Sequence, residues 1–127
     1  MRQKMVSKIV LTTGMALLAA LAAESGEKGD AVDGRAVFEK RCTGCHALDH
    51  EKVGPRLAGV VGRKAGAVSG FPYSDAVRNS GVVWDEAILD KWLTDPETAI
   101  PDNDMTFRLD NSSERSAIIA FLKETSK

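Results

Sequence analysis

The chain has 127 residues, of which 43% are hydrophobic and 28% charged, which suits one globular domain and excludes wholesale disorder. Its formal net charge of −1 offers no basic surface of the kind that nucleic-acid binding needs, so nucleic acid is excluded as a partner. Aromatic residues make up only 6% of the chain, so we expect a cofactor, a metal or a disulfide to supplement a modest core.

The first 22 residues have the three parts of a secretory signal peptide. Three basic residues precede an apolar run over residues 9–23, and Ala20-Leu21-Ala22 supplies a cleavage site of small residues. A run of about 15 residues is shorter than the roughly 20 that a spanning helix needs, which favours cleavage over the alternative, an uncleaved membrane anchor. A charged, Gly-rich flexible tether is predicted over 23–33, followed by the folded domain over 34–127.

The first two predicted helices lie on either side of a long Gly-rich stretch. One begins near Asp33, a suitable N-cap residue, and runs towards Cys42. The stretch that follows has turn residues and no strand-length alternation. A short helix is then predicted from a Ser74 cap to Gly81, because glycine suits the left-handed position after a helix.

Two further helices are predicted in the C-terminal third. The third spans roughly Asp85 to Thr94, with acids in its first turn and apolar residues on one face, and Asp95-Pro96 is expected to end it. The last opens at Asn111, with Glu114 three residues on completing a capping box. The expected fold class is therefore all-α, with about four short helices.

The segment Cys42-Thr43-Gly44-Cys45-His46 is a C-x-x-C-H motif, typical of covalent c-type haem attachment. Two thiols three residues apart at a helix end can each bond one vinyl group of the same haem, and the adjacent imidazole then reaches the iron. The cysteines alone also fit a disulfide or a thiol redox pair, and a zinc site if His50 contributed. The helical context, the leader and His46 favour haem.

A second iron ligand can be sought by elimination. The four methionines are at positions 1, 5, 15 and 105, and the first three belong to the leader. Histidine occurs only at positions 46 and 50, and His50 is too close to His46 to reach the opposite face of a haem. Met105 is therefore the predicted ligand, although a lone methionine is more often a core gap-filler. A His/Met pair leaves no open coordination position and predicts an electron carrier rather than an enzyme.

Further motifs extend over most of the domain, from about Gly34 to Leu122. Together with the C-x-x-C-H motif they resemble the class I cytochrome c family of the mitochondrial and soluble bacterial type. That resemblance implies a few helices wrapped round one covalently bound haem. The segments that carry it are Gly54-Pro55-x-Leu57-x-Gly59, Gly62-Arg63-Lys64-x-Gly66, Gly70-Phe71-x-Tyr73-Ser74-Asp75-Ala76, Gly81-x-x-Trp84, Trp92-Leu93-x-x-Pro96, Ile100-Pro101-x-x-x-Met105 and Ile119-Ala120-Phe121-Leu122.

The resemblance also implies roles on the His46 side and around a haem propionate. Pro55 is expected to accept a hydrogen bond from His46 Nδ1, which fixes the tautomer. Tyr73 and Trp84 are expected to hydrogen-bond a buried propionate, with Arg63 supplying positive charge nearby.

Other implied roles concern the Met105 side and the helix crossing. Trp92 is expected to pack beside Met105, where the family often has tyrosine, so that a hydroxyl interaction is lost. Asn103 can still donate a hydrogen bond within the loop, and Phe107 is expected to shield this face. Gly34 is expected to let the first helix cross closely against the last.

The sequence departs from the mitochondrial pattern in its charges. Acids stand beside Met105 where mitochondrial members present basic docking residues, and residues 23–127 carry 14 basic and 18 acidic side chains, a net charge of −4. We expect a monomeric carrier in the bacterial periplasm. Its redox donors and acceptors are predicted to be membrane complexes or periplasmic dehydrogenases with neutral or basic docking faces. A gas-binding or sensing haem protein is the alternative function. The acids that stand beside Met105 are Asp95, Glu97, Asp102 and Asp104.

Overall fold

The computed structural model describes residues 31–127, so the predicted signal peptide and most of the predicted tether lie outside the described residues. The described part is helical, with a single isolated β-bridge between Lys64 and Val83 and no longer strand pairing. The predicted all-α class is confirmed. The helices are α1 (Gly34–Arg41), α2 (Asp75–Asn79), α3 (Glu86–Thr94), α4 (Pro96–Ala99) and α5 (Ser112–Glu124).

Side-chain caps begin the four predicted helices where the sequence placed them. Asp33 accepts a hydrogen bond from the Arg35 amide at 2.9 Å at the start of α1. Asp85 accepts one from the third residue of α3 at 2.7 Å, and Ser74 and Asn111 cap α2 and α5 in the same way. Each cap satisfies a backbone N–H that has no partner within its own helix. Local sequence therefore determines where these helices start.

One local prediction is confirmed but incomplete, and another is wrong. Pro96 does follow the end of α3, but it also begins the one-turn helix α4, since proline suits the first helical position, where its missing N–H is not needed. Glu114 accepts no hydrogen bond back from Asn111; its carboxylate lies 3.4 Å from the Arg41 guanidinium at the end of α1. The Asn111 cap is thus single, and Glu114 instead links α5 to α1.

The crossing of α1 and α5 organises the core. A Cβ atom added at Gly34 would lie 2.1 Å from the Ala117 carbonyl oxygen and 2.8 Å from Phe121 Cβ, so only glycine allows this approach. Phe38 and Phe121 pack with their ring centroids 5.6 Å apart. The close crossing expected at Gly34 is present. The buried residues of α1, α3 and α5 that form this core are Val37, Phe38, Leu89, Trp92, Leu93, Ile118, Ile119 and Leu122.

Backbone pairing brings the Gly-rich stretch against the segment before α3. The Gly62 amide donates to the Trp84 carbonyl at 2.7 Å, and the Trp84 amide donates to the Arg63 carbonyl at 2.9 Å. This pairing places two candidate site residues, Arg63 and Trp84, side by side. Within residues 31–127, no helix has the length and apolar character needed to cross a membrane.

Candidate haem-binding site

The C-x-x-C-H motif forms a tight turn directly after α1. The amides of Cys45 and His46 both donate to the Cys42 carbonyl, at 3.1 and 2.8 Å. Neither cysteine forms a disulfide; Cys42 is half-buried and Cys45 is exposed. Burial, with a smaller contribution from Cys45, raises the pKa of the Cys42 thiol to about 11. A thiol redox enzyme needs a depressed thiol pKa, so Cys42 lacks that property.

The His46 imidazole is held by the loop that contains Pro55. Its Nδ1 lies 2.8 Å from the Pro55 carbonyl oxygen, so Nδ1 carries the proton and Nε2 keeps its lone pair. Burial is the main cause that lowers the pKa of His46, while the Pro55 hydrogen bond acts in the opposite direction. The neutral form favoured by burial is the form that binds a metal.

Gly54 is a site residue whose contact with His46 was not predicted from the sequence. A Cβ atom at this position would lie 2.2 Å from His46 Cε1, so any side chain there would displace the imidazole. The Gly54 amide also donates to the Cys45 carbonyl at 2.8 Å, which fastens the loop to the C-x-x-C-H turn. The only local sequence feature that could have indicated this role is the Gly54-Pro55 pair, and such a pair predicts only a turn.

Met105 is held by two neighbouring side chains, one at its sulfur and one at its backbone amide. The Trp92 indole N–H donates to Met105 Sδ at 3.2 Å. Asn103 accepts from the Met105 amide at 2.8 Å and donates to the Ile100 carbonyl at 2.8 Å, which closes the turn before the methionine. Trp92 therefore does more than pack beside Met105: its N–H supplies a hydrogen bond to the sulfur although no hydroxyl is present.

Arg63 and Trp84 are connected to Trp92 and Met105 through packing and backbone hydrogen bonds. The Arg63 guanidinium is half-buried and donates to the Arg56 carbonyl at 2.7 Å; burial is the main cause that lowers its pKa. The Trp84 ring packs edge-on against Trp92, with centroids 5.1 Å apart. A continuous series of contacts thus joins Arg63, Trp84, Trp92 and Met105.

Tyr73 and Phe107 are the last two of the predicted site residues. The Tyr73 hydroxyl oxygen accepts from the Val68 amide at 3.1 Å, which leaves its own proton free to be donated elsewhere. The Tyr73 ring also packs edge-on against Phe71, with centroids 4.8 Å apart. Phe107 is half-buried and packs on the core close in sequence to Met105.

Comparison with known proteins identifies the family. Residues 31–126 match the family described as Cytochrome c. The chain is 51% identical over 85 residues to cytochrome c2 iso-2 of Magnetospirillum molischianum, covering 65% of this chain and 88% of that protein. It is 43% identical over 103 residues to cytochrome c type-1 of Ascaris suum, covering 79% of this chain and 92% of that protein.

A solved structure agrees with the sequence relatives. Cytochrome cH from Methylobacterium extorquens superposes with a TM-score of 0.69 at 42% identity, covering 76% of this chain and 99% of that one. The residues present fit a haem, because two unbridged thiols and a neutral imidazole with a free Nε2 stand together. The chain belongs to the cytochrome c family, within its class I branch.

The family assignment resolves the alternatives for the cysteines. The protein is a monohaem c-type cytochrome that carries electrons, and its haem is bonded covalently through Cys42 and Cys45. When bound, the haem supplies the one-electron couple between ferrous and ferric iron. The chain's own contribution is to attach, orient and enclose that group.

Proposed function

We propose that His46 and Met105 would hold the haem iron, so that the protein is an electron shuttle with no substrate chemistry of its own. The observation that carries this proposal is the fixed position of the Met105 sulfur, which accepts the Trp92 N–H at 3.2 Å. A thioether kept in one orientation by its surroundings suits a permanent ligand better than a core gap-filler. A coordination shell filled by imidazole and thioether leaves no position for dioxygen or a substrate.

The remaining site residues act on the haem periphery in this proposal. Tyr73, whose hydroxyl proton is free, and Trp84 donate to a propionate, and Arg63 supplies positive charge beside them. Phe107 shields the Met105 side from water. Pro55 fixes His46, and Asn103 closes the turn that presents Met105.

The location and partners of the protein follow from its leader and its charges. A leader with three basic residues and a short apolar run supports export, and the bacterial relatives support the periplasm as the destination. The carrier works as a monomer. It exchanges electrons with membrane complexes or periplasmic dehydrogenases whose docking faces are neutral or basic.

Replacing Met105 with alanine tests the ligand assignment. Met105→Ala removes the thioether, which favours the ferrous state, so the reduction potential should fall. The weak charge-transfer band at the red end of the ferric spectrum should disappear, and the reduced protein should bind carbon monoxide. Optical spectroscopy and potentiometry measure all three effects.

Thr106→Ala is the matched control, because Thr106 is the exposed neighbour of Met105. It should leave the band, the potential and the absence of carbon monoxide binding as in the wild type. A Met105→Ala protein that retained the red band and the wild-type potential would show that another group binds the iron.

A further inference from the structure

The turn that precedes Met105 contains a strained residue. Asp102 has a φ angle of 63°, the only positive φ of a non-glycine residue among residues 31–127. Aspartate tolerates this left-handed conformation better than most side chains, but it remains unfavourable for an L-residue. The conformation of Asp102 directs the chain so that Asn103 can bridge Ile100 and the Met105 amide. Some other contact must hold the turn in place.

That contact is the Glu97 carboxylate. Both of its oxygens lie within hydrogen-bond distance of the Asp102 amide, at 3.1 and 3.2 Å, and one lies 3.5 Å from Asn103 Nδ2. Within the described part of the chain Glu97 pairs with no cation, whereas neighbouring Asp95 pairs with Arg108 at 3.0 Å. The Glu97 side chain is therefore directed at the turn alone.

The backbone of Glu97 is fixed by α4. Pro96 is almost fully buried at the first position of this helix, and Asp95 accepts from the Glu97 amide at 3.2 Å. A carboxylate on an anchored helix that accepts from a strained backbone amide forms a charge-assisted hydrogen bond, which is stronger than a neutral one.

We propose that Glu97 is a positioning residue that keeps the 101–104 turn closed and so keeps Met105 on the iron. The inference rests on the proposed ligand role of Met105. Glu97 holds Asp102, Asp102 orients Asn103, and Asn103 orients Met105. Charge repulsion opposes this effect, since Glu97, Asp102 and Asp104 are all acids.

Two variants of Glu97 separate these effects. Glu97→Ala removes both the acceptor and the charge, whereas Glu97→Gln removes the charge but keeps an acceptor oxygen for the Asp102 amide. Glu39→Ala is the control for charge, because Glu39 is an exposed glutamate on α1 whose side chain has no hydrogen bond among the described residues.

The variants are compared as holoproteins by two measurements. Exchange of the Asp102 amide hydrogen, followed by NMR in the reduced protein, reports on the turn itself. Titration of the ferric protein with imidazole, which competes with Met105, reports on ligation. For Glu97→Ala we expect amide exchange and imidazole affinity both to rise roughly tenfold, the effect of losing a hydrogen bond to a charged acceptor.

Glu97→Gln should stay within about threefold of the wild type, because a neutral acceptor retains about half of the interaction free energy, and Glu39→Ala should match the wild type. Unchanged or slower exchange in Glu97→Ala would overturn the proposal, and slower exchange in both Glu97 variants would show that charge repulsion dominates. Faster exchange with unchanged imidazole affinity would show that Glu97 holds the turn but does not hold Met105 on the iron. If the ligand assignment itself is wrong, Met105→Ala will retain the red band whatever the Glu97 variants do.

Discussion

At the scale of single residues, the contact between Trp92 and Met105 shows how one side chain can replace another. The resemblance to relatives with tyrosine here predicted packing and the loss of a hydroxyl interaction. The structure instead places the indole N–H 3.2 Å from the sulfur. Sulfur is a weak acceptor, yet the N–H dipole points its positive end at the proposed ligand atom and so favours the ferrous state in that proposal.

Replacing Trp92 with phenylalanine should therefore lower the reduction potential. Phenylalanine keeps one six-membered aromatic ring, and the donor is lost together with the rest of the indole. A hydrogen bond worth about 0.5–1.5 kcal/mol corresponds to a decrease of up to about 60 mV for a one-electron couple. Trp92→Tyr is the matched control, since it removes the indole but keeps a hydroxyl donor, and it should recover part of the difference. Equal potentials in Trp92→Phe and the wild type would contradict the role of the N–H.

The predictability of each site residue follows its distance from its partner along the chain. Cys42, Cys45 and His46 lie within five consecutive residues, so the motif alone carries their chemistry. Gly54 and Glu97 act by touching other loops, Gly54 against the imidazole and Glu97 against the Asp102 amide. Neither contact leaves a local pattern, so from the sequence Gly54 indicates only a turn and Glu97 only a surface charge near Met105.

At the scale of elements, helix starts were predictable and one short helix was not. The three expected caps, at Asp33, Ser74 and Asn111, are present because a cap is a local interaction over three residues. Asp85, predicted as the first residue of the third helix, is its cap. Pro96 was interpreted only as a stop, yet it both follows α3 and begins α4. The proline ring ends a preceding helix and is also preorganised for the first turn of the next one. A proline in the sequence therefore does not show by itself whether a new helix follows.

The crossing of α1 and α5 gives a stability prediction. In Gly34→Ala the new methyl group would meet the Ala117 carbonyl oxygen at 2.1 Å, which the backbone can relieve only by separating the helices. We expect the free energy of unfolding to fall by about 3 kcal/mol, the upper end of the usual cost of overpacking. Chemical denaturation of the holoprotein measures this change.

Gly44→Ala is the matched control for that experiment, because no atom lies within 4 Å of a Cβ built there and its φ angle is not positive. It should change stability by no more than about 0.5 kcal/mol. Equal destabilisation by the two substitutions would mean that loss of glycine, rather than the crossing at Gly34, is responsible.

At the scale of the whole molecule, the charges are unevenly distributed. The segment 95–108 around Met105 holds four carboxylates and one guanidinium, a net charge of −3. Arg108 pairs with Asp95, whereas Asp104 is exposed. Near the C-x-x-C-H turn, Arg41 pairs with Glu114 and Lys52 Nζ donates to the Thr43 carbonyl, so positive charge remains on that side. The field is therefore mixed, with acids concentrated beside Met105.

This distribution predicts how salt affects electron transfer. Opposite charges accelerate encounter and like charges slow it, and salt screens both effects over about 8–10 Å. Rising ionic strength should slow transfer to an acceptor with a basic docking face, and should accelerate or barely change transfer to one with an acidic face. Stopped-flow rates over a salt series measure both.

Asp104→Asn should reduce the salt dependence with the basic acceptor, while Glu124→Gln, at the end of α5, controls for the change in net charge. A steep loss of rate with salt for the acidic acceptor would contradict the prediction and point to the basic residues near Cys45 as the docking surface.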